Sequence, residues 1–192
     1  MKQRFALVLM GAWLMGTICM SIVATENFYT IDRLLAARTN PAFASAVDRL
    51  SPPISRDLLR YLSSELNRLY FQMWNVAQVV LGGIALWLVA GRARRGVMAM
   101  LAIVVLMIAY LTPAIVSLGR SLDFVPRDPA PPGMQRFWIL HAAYTSLEMI
   151  KLFVGVLVAY WIAASPSSGG RAIGPGVVRP LERPLEVDRL QS

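Results

Sequence analysis

Residues 137–164 read FWILHAAYTSLEMIKLFVGVLVAYWIAA, an apolar run that holds Glu148 and Lys151 near its middle. About 20 apolar residues cross a bilayer as a helix, so this run is long enough to span. Trp138 and Trp161 mark the two interface levels, because indole rings favour the headgroup region. The two charges therefore fall close to the bilayer midplane, where each costs about 2.5–3.5 kcal/mol on insertion scales. A chain tolerates that cost for a structural pair or for a functional site.

Three more apolar runs precede this one. The 192 residues are 56% hydrophobic and 16% charged, which is the balance of a membrane protein and fits one domain. The expected spans are residues 5–24, 71–90, 97–118 and 137–164, joined by an outer loop at 25–70. The first follows Lys2 and Arg4 and reads as a retained span rather than a cleaved signal segment, since its charge-free run is long and Ile22 is bulky ahead of Ala24. The fold class is all-α: an integral membrane four-helix bundle, residues 1–164, with an amphipathic helix in the first outer loop. Residues 165–192 are rich in Pro, Ser, Gly and charge and read as a disordered cytoplasmic tail.

Net charge is +8. Lys2 and Arg4 lie before the first span, and Arg92, Arg94 and Arg95 lie between the second and third. This is the positive-inside arrangement, with attraction to anionic headgroups, and it argues against nucleic acid as a partner. It places both termini in the cytoplasm, in what reads as a bacterial inner membrane. The single Cys19 rules out an intramolecular disulfide and a zinc cluster. Met10, Met15 and Met20 are spaced by five and do not share a helix face, so they read as packing.

In the outer loop, Asn40-Pro41 signals a turn before a short helix at 42–50. Ser55 after Pro52-Pro53 reads as an N-cap, and Leu58, Leu62, Leu66 and Leu69 recur at helical spacing. This helix is expected to run into the second span and to lie on the membrane surface or cap the bundle. Pro113 should disturb the third span. Gly82-Gly83 reads as a close helix contact.

The chemistry-bearing residues inside the spans are few. His141, Thr145 and Glu148 follow i, i+4, i+7, and Lys151 reaches Glu148 at i+3. Asn75 and Gln78 lie at comparable depth on the parallel second span. One reading is a polar path from the outer surface to the midplane, with Glu65, Asn67, Arg68 and Arg120 at its mouth. The other is structural: interhelical hydrogen bonds and a self-neutralising pair. No nucleophile–base set, metal-ligand cluster or phosphate loop is legible, so the expectation is no catalytic residues, no cofactor and no metal.

The stretches Glu65-Leu66-Asn67-Arg68, Trp74-Asn75-Val76-Ala77-Gln78 and Arg136-Phe137-Trp138-Ile139-Leu140-His141, set in four spans with a long first outer loop, resemble the transmembrane protein 205-like family, domain of unknown function 4149. The resemblance covers about residues 5–164. It implies an integral membrane location and attaches no activity or cofactor; the Glu148/Lys151 pair is not a feature it implies. The expected role is a non-enzymatic component that assembles with or modulates another membrane protein, or with itself, in the lipid bilayer. The alternative is a small transporter or channel using the span-four stripe.

Overall fold

A computed structural model describes residues 1–165. The chain is helical throughout its spans: α1 (Lys2–Ala37), α2 (Pro41–Asp48), α3 (Pro52–Leu88), α4 (Gly91–Leu106), a π-helical turn (Met107–Leu111), α5 (Thr112–Ser121) and α6 (Met134–Ala164). The tail expected over residues 165–192 lies outside the described residues from 166 onward. Among the described residues, four helical units are long and apolar enough to cross a membrane: α1, α3, the α4–α5 rod and α6.

They form an up-down-up-down ring in which α1 packs on α3 and α6, and α4 packs on the same two helices. Each neighbour is antiparallel, and α3 and α6 face each other along one diagonal as a parallel pair. The first residues of α1 meet the last of α6, where Gln3 Nε2 donates to the carbonyls of Ile162 at 2.6 Å and Ser165 at 2.9 Å. The same end carries Lys2, whose ammonium stands 5.4 Å over the Trp87 ring, and the three arginines of α4. We call it the basic end. The opposite end holds α2 and the α5–α6 connection.

Glycine sets how closely the ring can close. Each of Gly16, Gly82, Gly96 and Gly155 meets a side chain from a neighbouring helix where its own Cβ would lie: Trp74, Leu101, Val158 and Leu14, at 2.2, 2.4, 2.3 and 2.6 Å. Small residues permit such approach in a membrane, where burial from lipid supplies little driving force. Gly83 has nothing within 4 Å of its notional Cβ, so only Gly82 of the adjacent pair is a contact. Near the basic end, Met10, Trp13, Val97, Met100, Val104 and Val158 build a fully buried apolar cluster. A second cluster, Met107, Leu111 and Tyr144, sits beyond the midpoint with Phe71 edge-on to Tyr144 at 5.6 Å.

Several local expectations change. Residues 91–96 are not a loop: α3 and α4 are separated by Val89 and Ala90 alone, and Gly91, at φ +59°, makes the turn. Ala93 and Gly96 face inward while Arg92, Arg94 and Arg95 project out, which lets the long side chains carry their charge away from the helix. Ser55 is not an N-cap. Helix α3 begins at Pro52, because proline suits the first helical turn, and the Ser55 hydroxyl donates back to Pro52 O at 3.0 Å. Asn40 does cap α2, accepting from Ala42 N at 2.9 Å and Phe43 N at 3.1 Å. The disturbance at Pro113 takes the form of the π turn just before it, in which Thr112 N–H reaches Met107 O. A proline lacks the donor and clashes with the preceding turn, and a π turn absorbs both faults.

The largest departure lies in residues 25–70. Helix α1 continues to Ala37, where an outer loop is expected from residue 25, while α3 runs unbroken into the second span as expected, as one helix of 37 residues. At 1.5 Å per residue each is about 55 Å long, against about 30 Å of hydrocarbon. The amphipathic segment therefore extends α3 beyond its apolar stretch and packs against α1 at that end of the bundle. Its polarity is also reversed. Ser55, Ser63 and Asn67 face inward, while Leu58, Leu62 and Leu69 are each about half exposed. Beside the buried Ile31 and Val47, hydrogen bonds hold this part: Asn27 Nδ2 to Asn67 Oδ1 at 2.6 Å, Asn67 Nδ2 to Ala24 O at 3.0 Å, and Ser63 Oγ to Asn27 O at 3.2 Å.

Packing of this kind separates two glycines sharply. Gly96→Ala should lower the thermal midpoint, by the equivalent of about 1–3 kcal/mol for overpacking, since Val158 is branched and has little room to yield. Gly83→Ala should leave the midpoint unchanged or raise it. Thermal unfolding in one detergent, followed by circular dichroism, checks both.

Candidate functional site: a buried polar level between two apolar clusters

The facing positions of α3 and α6 share a constant register. Phe71 meets Tyr144, and Gln78 meets Lys151. Between and below them Asn75 pairs in level with Glu148, Gly82 with Gly155, and Ala85 with Val158. In α6 the buried set is Tyr144, Glu148, Lys151, Gly155, Val158 and Ile162, a 4-3-4-3-4 spacing that keeps one face on the bundle axis. Hydropathy would place an apolar residue at 148 and at 151. The chain places an ion pair there.

Lys151 is 1% exposed and Gln78 is 0% exposed, so both are sealed from solvent and lipid. The ammonium donates to Gln78 Oε1 and to Glu148 Oε1, the latter at 2.8 Å, and Glu148 Oε2 stands 2.7 Å from Nζ. Trp13 Nε1–H, from α1, donates to the same Gln78 oxygen at 3.1 Å. That oxygen thus accepts from two donors, which fixes the amide orientation: a flipped amide would set its NH2 against an ammonium and an indole N–H. Three helices meet at one carbonyl oxygen. Burial alone would make an isolated ammonium several kcal/mol unfavourable, and the carboxylate and the amide oxygen offset that only together.

The six residues singled out from the sequence divide into two groups. Asn75, Gln78, Glu148 and Lys151 are buried at one level between α3 and α6. His141 and Thr145 are exposed on the outer side of α6 and do not join them. The continuous stripe is not formed. On an ideal helix the residues i, i+4 and i+7 are spread over about 60°, and here the edge of the buried face falls inside that spread. Glu148 lies just within it, and Lys151 lies near its centre. His141 instead stacks on Phe137 at 5.8 Å and meets Trp138 edge-on at 6.1 Å, and the Thr145 hydroxyl donates to His141 O at 3.0 Å. With Ala142, Ser146, Met149 and Ile150 these residues line an open groove on the outer face of α6.

The expected mouth also divides. Glu65, Arg68 and Arg120 form one network with Asp123, in which Arg68 pairs with Glu65 and, at 3.0 Å, with Asp123, and Arg120 reaches Glu65 at 3.4 Å. It ties α3 to the end of α5. Asn67 points the other way, to α1. Trp13 was absent from the sequence reading; a tryptophan in an apolar run gives no sign of where its single N–H will point. Among the described residues no group of three or more His, Cys, Asp or Glu side chains could hold a metal ion. Cys19 is exposed on the outward side of α1, not in the packing.

Comparison with protein families, with curated proteins and with solved structures found no match to this chain.

The pair makes a stability prediction. Lys151→Met alone leaves Glu148 buried against an amide oxygen and should cost about 3–5 kcal/mol. Glu148→Gln with Lys151→Met should recover most of that, read as thermal midpoints of the two variants in the same detergent. A second prediction concerns pH. Glu65 lies ahead of the apolar run that begins at Phe71. Burial pushes its carboxyl up, but hydrogen bonds from Arg120 and Arg68 and their charges outweigh this and hold it below its ordinary 4.5. A lowered folded value means the network stabilises the fold above the ordinary value and loses that contribution as pH falls through the folded one. The midpoint should therefore fall on acidification below about pH 4.5, and less steeply in Glu65→Gln.

Proposed function

We propose that this is a non-enzymatic multi-pass protein of a bacterial inner membrane, with both termini cytoplasmic, that assembles with another membrane protein through the outer face of α6. The observation that carries this is the groove around His141, Thr145 and Ser146. Hydrocarbon offers no hydrogen-bond partners and no reward for small side chains, whereas a packed transmembrane helix offers both. Ala142 and Ser146, four residues apart, leave the backbone approachable, and Trp138, Met149 and Ile150 rim the approach. The Lys151 ammonium, the Glu148 carboxylate and the Gln78 oxygen of the bundle interior, by contrast, are engaged with one another. The orientation rests on the clustering of Lys2, Arg4, Arg92, Arg94 and Arg95 at one end of the ring. The partner is a transmembrane helix of a different protein or of a second copy of this chain.

A photoreactive side chain placed at Ala142 or Ser146 in native membranes tests the reading. It should give a protein adduct of discrete mass, and a probe at Val80, exposed on α3, should not. Twice the chain mass would identify self-association. Adducts only with lipid, or the same adducts from all three positions, would sink the proposal.

A further inference from the structure

At the level of Asn75 and Glu148, the interior holds more polar atoms than the protein itself pairs. Asn75 Oδ1, Gln78 Nε2 and Tyr144 OH are buried and make no hydrogen bond, and Glu148 Oε2, 2.7 Å from the Lys151 ammonium, has no aligned hydrogen bond beyond that ion pair. They belong to facing residues of a parallel helix pair whose register is fixed on one side by the Phe71–Tyr144 ring contact and on the other by Lys151 on Gln78. Asn75 is 5% exposed, Gln78 0% and Glu148 8%, so neither lipid nor bulk solvent satisfies them. The Gln78 NH2 has no freedom to turn away, because its oxygen is held by Trp13 and Lys151.

An unpaired buried polar atom costs about 1–3 kcal/mol, and three together would be a large fraction of the stability of a small protein. Natural interiors avoid that cost with a bound molecule. The inventory here is two donors, the Gln78 amide and the Tyr144 hydroxyl, and two acceptors, the Asn75 carbonyl and the Glu148 carboxylate. That is the complement of a molecule that accepts twice and donates twice.

We propose that α3 and α6 enclose a hydration site at this level: a water molecule accepts from Gln78 Nε2 and Tyr144 OH and donates to Asn75 Oδ1 and Glu148 Oε2. The ligand class is water, or a neutral molecule of its size and hydrogen-bonding capacity. Such a water gives the Glu148 carboxylate a stabilising contact in addition to Lys151. It also makes Asn75 a positioning residue rather than a stranded one. The Tyr144 ring itself packs in the second apolar cluster, with Leu111 and Met107 of the π turn.

The test uses the full chain in lipid nanodiscs and hydroxyl radicals generated from water by a synchrotron X-ray pulse. Radicals formed from an enclosed water oxidise the side chain beside it. Tyr144 should be oxidised several-fold more than Met10 and Met100, which are intrinsically reactive but lie in the apolar cluster. A Tyr144 as protected as those methionines overturns the proposal. Asn75→Leu, close in volume, adds an independent sign. Loss of a water-bridging acceptor lowers the thermal midpoint and reduces Tyr144 oxidation several-fold. A raised midpoint, the result for an acceptor that had no partner, overturns the proposal. Should Asn75→Leu fail to fold, the footprint of the unaltered chain decides alone.

Discussion

A lysine ammonium in the middle of a membrane bundle needs oxygen on more than one side. Here Glu148 supplies one side from the same helix and Gln78 supplies the other from across the bundle. The consequence is geometric. Gln78 Oε1 is a single atom, and both Trp13 and Lys151 must reach it. That requirement sets the rotation of α3 and α6 toward the axis and the height of α1 between them. The glycines then follow, since helices that share one oxygen must also run close together, and Gly16, Gly82 and Gly155 occur where α1 meets its two neighbours or the axis. Apolar packing above and below fills the space that this polar contact defines.

Selection of the helix rotations by hydrogen bonding fits the weakness of hydrophobic sorting in lipid. Both faces of a transmembrane helix are apolar, so water does not choose which face turns inward. A buried polar group does choose, because the wrong rotation leaves it unpaired in hydrocarbon. The extension beyond the span obeys the same logic. Its inward face is Ser63 and Asn67 rather than leucine, and it is joined to α1 through Asn27 and the Ala24 carbonyl.

The spans and the all-helical class were legible because hydropathy over 20 residues is a sum that survives local detail. Position on the helix was less so. Asn75, Gln78, Glu148 and Lys151 could be grouped by depth alone, since two parallel spans can be counted from their starts. His141 and Thr145 could not be separated from Glu148 in that way. They lie within about a sixth of a turn of it, and only the neighbours of α6 define where the buried face ends. The leucines of 58–69 misled for a related reason: a helical stripe declares a face but not what covers it. Ser55 misled because two prolines had already begun the helix.

The diagonal contact also bears on the order of manufacture. Gln78 precedes Lys151 by 73 residues, so a chain emerging from the ribosome places the acceptor in the membrane well before the donor arrives. Taken alone, α6 enters hydrocarbon at a cost, since its charge pair sits at mid-depth. It becomes acceptable once α1 and α3 have paired and Gln78 is waiting. Prior pairing of the first two spans would thus place the Gln78 oxygen where the ammonium of the fourth requires it.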